Sequence, residues 1–92
     1  MIVRVQGDRQ YRLDAAGQRE LDEIDGRLIE AVRARNAEEA HRLLGEAIAL
    51  VAARGEALGE ADLSPSDLIL PPADATLDET GSLLESEGLL LS

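Results

Sequence analysis

The chain contains no cysteine, no lysine, no tryptophan and no phenylalanine. Each absence removes a class of function. Without cysteine there is no disulfide framework, no zinc–thiolate site and no thiol nucleophile. A small secreted domain of this length is usually stapled by disulfides, so a reducing cytoplasm is the expected location. Tyr11 is the only aromatic residue. A small-molecule pocket is normally shaped by several large rigid side chains, which are missing. No apolar run approaches the roughly 18–20 residues of a membrane span. The start, Met1-Ile2-Val3-Arg4, lacks a signal-peptide layout.

Positive charge is the next scarcity, and it is uneven. All nine cations are arginines. Residues 1–35 carry seven of them against seven acids, and residues 36–92 carry two against twelve, which accounts for the whole net charge of −10. No basic residue follows Arg54. Phosphate neutralisation needs a basic patch, so nucleic acid is disfavoured as a ligand. Anionic lipid is disfavoured by the same repulsion, and direct membrane insertion is not expected. A polarised field of this kind points to protein partners and steering rather than to a reaction.

Ninety-two residues make one domain, 1–92. A chain this short buries only about 60–65% of its unfolded surface, so its stability margin is thin. Ile2–Gln6 and Gln10–Asp14 alternate apolar and polar residues and predict two strands joined as a hairpin through Gly7-Asp8-Arg9. Asp14 is placed to cap a helix running to about Ala34, with Leu21, Ile24, Leu28, Ile29 and Val32 at three–four spacing. Arg35-Asn36 is a break. Asn36-Ala37-Glu38-Glu39 has capping-box spacing and opens a second helix to Arg54, with Gly55 as its expected C′ residue. The very short link predicts an antiparallel αα-hairpin. Glu56–Asp62 reads as a polar connector and Ser64-Pro65-Ser66-Asp67 as a turn. Leu68-Ile69-Leu70 predicts a third strand beside the hairpin, stopped by Pro71-Pro72. Thr76-Leu77-Asp78-Glu79 is a capping box for a short third helix that Gly88 can end. Leu89–Leu91 is either a last edge strand or a docked tail. The expected fold is α+β, ordered ββααβα, with helices covering a small, mainly antiparallel sheet.

Two features bear on function. From Ala47 to Ala53 the second helix has no polar residue. Its core stripe is Ala40, Leu43, Leu44, Ala47, Ile48 and Val51. Leu50 is expected to point away from that stripe, and Gly45, Ala49 and Ala53 form a small-residue row at spacing four. Such a row lets another helix approach closely. Its cover is either a partner helix or this chain's own third strand or C-terminal segment. The second feature is the uncompensated group Asp67, Asp74, Asp78 and Glu79. Turn and capping roles explain most of these acids. The missing counter-cations suit a basic partner surface better than catalysis. Glu38 and His41 form one Glu-x-x-His pair, which a di-iron site would need twice. A surface pair at a helix start explains them more simply. No nucleophile–base pair and no phosphate loop is visible, so the chain is expected to be non-enzymatic, without cofactor or metal.

Met1 to Leu13 together with Ser66-Asp67-Leu68-Ile69-Leu70-Pro71-Pro72-Ala73-Asp74-Ala75-Thr76-Leu77-Asp78-Glu79 resembles PspAA, the PspA-associated protein family of phage-shock systems. The Pro-Pro-Ala-Asp-Ala-Thr stretch is the more specific part, and the resemblance extends over nearly the whole chain. It implies an accessory protein of the envelope-stress response. The expected partner is PspA, a coiled-coil protein that coats the inner face of a stressed membrane, and recruitment there through PspA would follow. Alternatives are a structural homodimer that uses the 37–54 helix face, a regulator of a transcription factor or protease, and a metal-dependent enzyme.

Overall fold

The computed structural model describes residues 1–6, 9–59, 65–76 and 78–80. In chain order the elements are β1 (Ile2–Val5), β2 (Gln10–Arg12), α1 (Ala15–Arg33), α2 (Ala37–Arg54), β3 (Glu56–Ala57) and β4 (Leu68–Leu70). Residues 78–80 are helical. The sheet order is β3-β2-β1-β4. β1 and β2 pair antiparallel with Val3 opposite Tyr11, β2 and β3 pair antiparallel, and β4 lies parallel to β1 with Val3 opposite Leu68. The α+β class and the mainly antiparallel sheet therefore match the sequence-based expectation. One correction concerns β3. Part of the predicted polar connector, Glu56-Ala57, hydrogen-bonds to β2 as an edge strand, which makes Leu68–Leu70 the fourth strand. The hairpin loop at 7–8 and the predicted Gly88 and Leu89–Leu91 features lie outside the described residues.

Local hydrogen bonds explain the helix limits. Asp14 Oδ1 accepts from the Gly17 N–H at 2.7 Å and opens α1. At the other end the Arg35 N–H donates to the Val32 carbonyl and the Asn36 N–H to the Ala31 carbonyl. This is the Schellman pattern, and it places Arg35 in the left-handed region with φ 58°. Asn36 Oδ1 then accepts from the Glu39 N–H at 3.2 Å and opens α2. The predicted capping box is half made: the Asn36 N–H is already spent on α1, and the Glu39 carboxylate turns to Arg42.

Gly55 ends α2 for a different reason from the one expected. Its backbone is extended (φ −84°, ψ 154°), so no left-handed turn requires it. A Cβ there would instead lie 2.5 Å from the Val51 carbonyl oxygen and 2.9 Å from Tyr11 Cβ. The glycine is needed where the chain passes from α2 into the sheet beside β2.

The core has two parts. Val3, Val5, Leu13, Leu68 and Leu70 from the strands and β2–α1 junction meet Leu21, Ala47 and Val51 of the helices. Further out along the helix pair, Leu28 and Ala31 of α1 meet Ala40, Leu43 and Leu44 of α2. Ile24 and Ile48 pack against both clusters. Arg54 Nη1 contacts both Glu20 carboxylate oxygens at 2.8 and 3.0 Å, joining the end of α2 to the start of α1.

The two special backbone positions give substitutions of opposite sign. Arg35→Gly relieves a left-handed arginine and should raise stability by about 0.5–1 kcal/mol, because the exposed ion pair with Asp78 that it removes contributes only a few tenths. Gly55→Ala forces two contacts apart and should cost about 1–3 kcal/mol. Urea denaturation of the two variants beside the parent chain checks both signs.

Candidate interaction surface

Gly45, Ala49 and Ala53 are all exposed, on the side of α2 away from its buried stripe, together with Ala52. A Cβ built on Gly45 meets nothing within 4 Å. The row is thus a shallow, nearly side-chain-free strip on a regular helix. Leu50 is a correction. It is half-buried and packs against the sheet-side cluster. The C-terminal half of α2 contributes Ala47, Val51 and Leu50 to that cluster, so a wider arc of the helix is covered there than the narrow stripe implied. Leu50 forms the rim between core and strip.

The four acids have separate tasks. Asp67 Oδ2 accepts from the Ile2 N–H at 2.8 Å while the Asp67 N–H donates to the Ile2 carbonyl at 2.7 Å. It pins the start of β4 to β1. Glu79 and Thr76 complete the predicted capping box, with the Thr76 N–H donating to Glu79 Oε1 and the Glu79 N–H donating to Thr76 Oγ1, both at 3.1 Å. The bonds from the Thr76 backbone and hydroxyl hold the Glu79 carboxyl below its usual range. Asp78 pairs with Arg35 at 3.0 Å, both side chains exposed. Asp74 is exposed in the turn after Pro71-Pro72. The acids therefore sit on the start of β4, the following turn and the 78–80 segment, whereas the strip is on α2.

Glu38 and His41 are both exposed on the first turns of α2. Among the described residues no three His, Cys, Asp or Glu side chains come together as a metal site would require. No helix among them is long and apolar enough to cross a membrane.

One residue escaped the sequence pattern. Asp25 is 3% exposed and its Oδ1 has no hydrogen-bond partner. Burial first, and the neighbouring Asp22 second, push its carboxyl up from 3.8 to about 7. The signal was present: Asp25 falls four residues after Leu21 and three before Leu28, on the buried stripe. Its charge argued for the polar face, and the periodicity argued correctly for the core.

Comparison with curated proteins and with solved structures finds no match. A family model described as PspAA, PspA-Associated protein, matches residues 1–91, which takes in the β1–β2 pair, both helices, β4 and the capping box alike. The chain belongs to the PspA-Associated protein family.

Proposed function

We propose that this chain is a non-enzymatic acidic adaptor of the envelope-stress response that binds PspA through the outer side of α2. The observation that carries this reading is Gly45. A glycine inside a helix costs up to about 1 kcal/mol relative to alanine. Nothing in the described chain occupies the space its missing Cβ leaves open; Gly26 of α1 is equally open but has Asp22 and Glu30 one turn to either side, whereas Gly45 is followed at the same spacing by exposed Ala49 and Ala53. A partner helix that must come close gives that glycine a use, and Ala49 and Ala53 continue the same approach path. Membership of the family supports PspA as the owner of that helix.

The acids act at longer range. Twelve of the 19 acids lie beyond residue 35, facing only two arginines in the same stretch. Such a field speeds encounter with a basic surface and repels anionic lipid, while adding little to the lifetime of the complex. The adaptor then works in the cytoplasm and reaches the membrane only by way of PspA.

Leu50→Glu would disturb both surface and core, because Leu50 packs on the sheet-side cluster. Gly45→Ala and Ala49→Glu separate the two. Gly45→Ala should raise the stability of the isolated chain by up to about 1 kcal/mol while weakening PspA binding several-fold. Ala49→Glu should leave the fold intact and abolish co-elution with PspA in size-exclusion chromatography with light scattering. Wild-type affinity in both variants would discard the α2 surface. A discrete dimer of the isolated chain, lost in Ala49→Glu, would assign the strip to self-assembly instead. Asp74→Asn combined with Asp78→Asn should slow association at low salt and leave dissociation unchanged, as read by stopped-flow mixing.

A further inference from the structure

Asp25 occupies the joint between the two halves of the core. Leu21, one turn before it, belongs to the sheet-side cluster, and Leu28, the next buried leucine, belongs to the outer cluster. Ile24 and Ile48, which touch both clusters, flank the same level of the helix pair. A carboxylate therefore interrupts what would otherwise be one continuous apolar seam. It caps no helix and makes no ion pair among the described residues, and its buried Oδ1 is unpartnered.

The surroundings offer little to hold a negative charge. On α1 the neighbouring Asp22, one turn earlier, opposes ionisation. On α2 the residues turned to the core are Ala40, Leu43, Leu44, Ala47 and Val51. The charged groups of α2 lie outside that stripe: Arg42 pairs with Glu39 and Glu46, Arg54 with Glu20, and Glu38 and His41 are exposed. The sheet presents Val3, Val5, Leu68 and Leu70; among the described residues its titratable groups at this cluster are the Tyr11 side chain and the Met1 ammonium, which donates to the Leu13 carbonyl at 3.2 Å. In the 78–80 segment Asp78 and Glu79 are exposed, and the buried Thr80 does not titrate.

We propose that Asp25 is a proton-linked joint of the helical hairpin: protonated, it lets the two core clusters seal against one another, and ionised, it loosens the outer part of the hairpin, residues 28–44, from the part held by the sheet. The physical basis is the cost of a desolvated carboxylate without a partner, which a neutral carboxyl largely escapes. The direction follows from linkage. An acid that binds its proton more tightly in the folded than in the unfolded chain adds stability at low pH, and this contribution is lost as pH rises from near 3.8 to about 7, then stays constant. The loss is local, because the sheet-side cluster keeps its own contacts on the other side of the joint.

Amide hydrogen exchange on the full chain, followed by NMR at pH 5.5 and pH 8 and corrected for base catalysis, tests this. In the parent chain, protection at residues 28–44 should fall by a factor on the order of ten to a hundred relative to β1, β2 and the first turns of α1. In Asp25→Asn that differential loss should vanish. Direct titration of the Asp25 carboxyl carbon in the parent chain should show a midpoint near neutrality. A midpoint in the ordinary carboxyl range, or the same differential loss in Asp25→Asn, would overturn the proposal. Should the Asn variant fail to fold, the parent titration and exchange pattern decide it alone. Neither measurement involves PspA, so the outcome is independent of the adaptor reading.

Discussion

Asn36 serves two helices at once. Its backbone N–H donates to the Ala31 carbonyl and closes α1, and its side-chain oxygen accepts from Glu39 and opens α2. With Arg35 in the left-handed region beside it, the chain reverses in two residues. A link this short leaves the helices no choice of neighbour and little choice of register. Leu28 and Ala31 must meet Ala40, Leu43 and Leu44 near the turn, and Leu21 must meet Ala47 and Val51 further away, where the sheet begins. Once these faces are turned inward, Gly45, Ala49 and Ala53 are turned outward. The candidate surface is a consequence of the turn.

At the other end the fold is secured by short-range ties between segments distant in sequence. The Met1 carbonyl accepts from the Leu13 N–H, and Asp67 grips Ile2 through both its backbone and its side chain. Gln10 Nε2 donates to Ser66 Oγ at 2.7 Å, which joins β2 to the residues before β4. The strands have only two to four residues each, too few to be stable as an isolated sheet. They persist because their inner side chains, Val3, Val5, Leu68 and Leu70, are covered by α1 and α2. An aromatic-poor core makes this arrangement sensitive: small and branched aliphatic side chains fill the space only if the layers approach closely, and Gly55 is the position where that approach leaves no room for a Cβ.

Where structure is decided locally, the sequence was readable. The helix limits at Asp14 and Arg35-Asn36 follow from capping residues and three–four periodicity, and so does the Thr76–Glu79 box; α2 ends at Arg54 where the periodicity places it, but crowding at Gly55 and not a left-handed cap sets that end. What escaped was decided by contacts across the chain. Glu56-Ala57 has no pattern of its own and becomes a strand only because β2 offers an open edge. The left-handed residue is Arg35 and not Gly55, since the tight helix link demands one conformation and the crowded passage into the sheet demands the absence of a side chain. Leu50 turned inward because the sheet widens the covered arc of α2. The small-residue row was visible at once as composition and spacing. The duties of Asp67, Asp78 and Glu79 needed three-dimensional partners to be seen.

Gly45 and Asp25 share a logic. Each lowers the stability of a domain with a thin margin, one by loosening the α2 backbone and the other by placing a carboxyl in the helix seam. Local choices that oppose the fold tend to mark places where something other than folding is being served. The two features lie on adjoining stretches of the helix pair. The strip, Gly45 to Ala53, runs along the part of α2 that the sheet-side cluster holds, whereas the stretch that an ionised Asp25 is proposed to loosen ends at residue 44. A partner confined to the strip therefore leaves the carboxyl untouched, whereas one that runs on past Gly45 over the outer half would, by linkage, stabilise the protonated carboxyl by as much as protonation stabilises its grip.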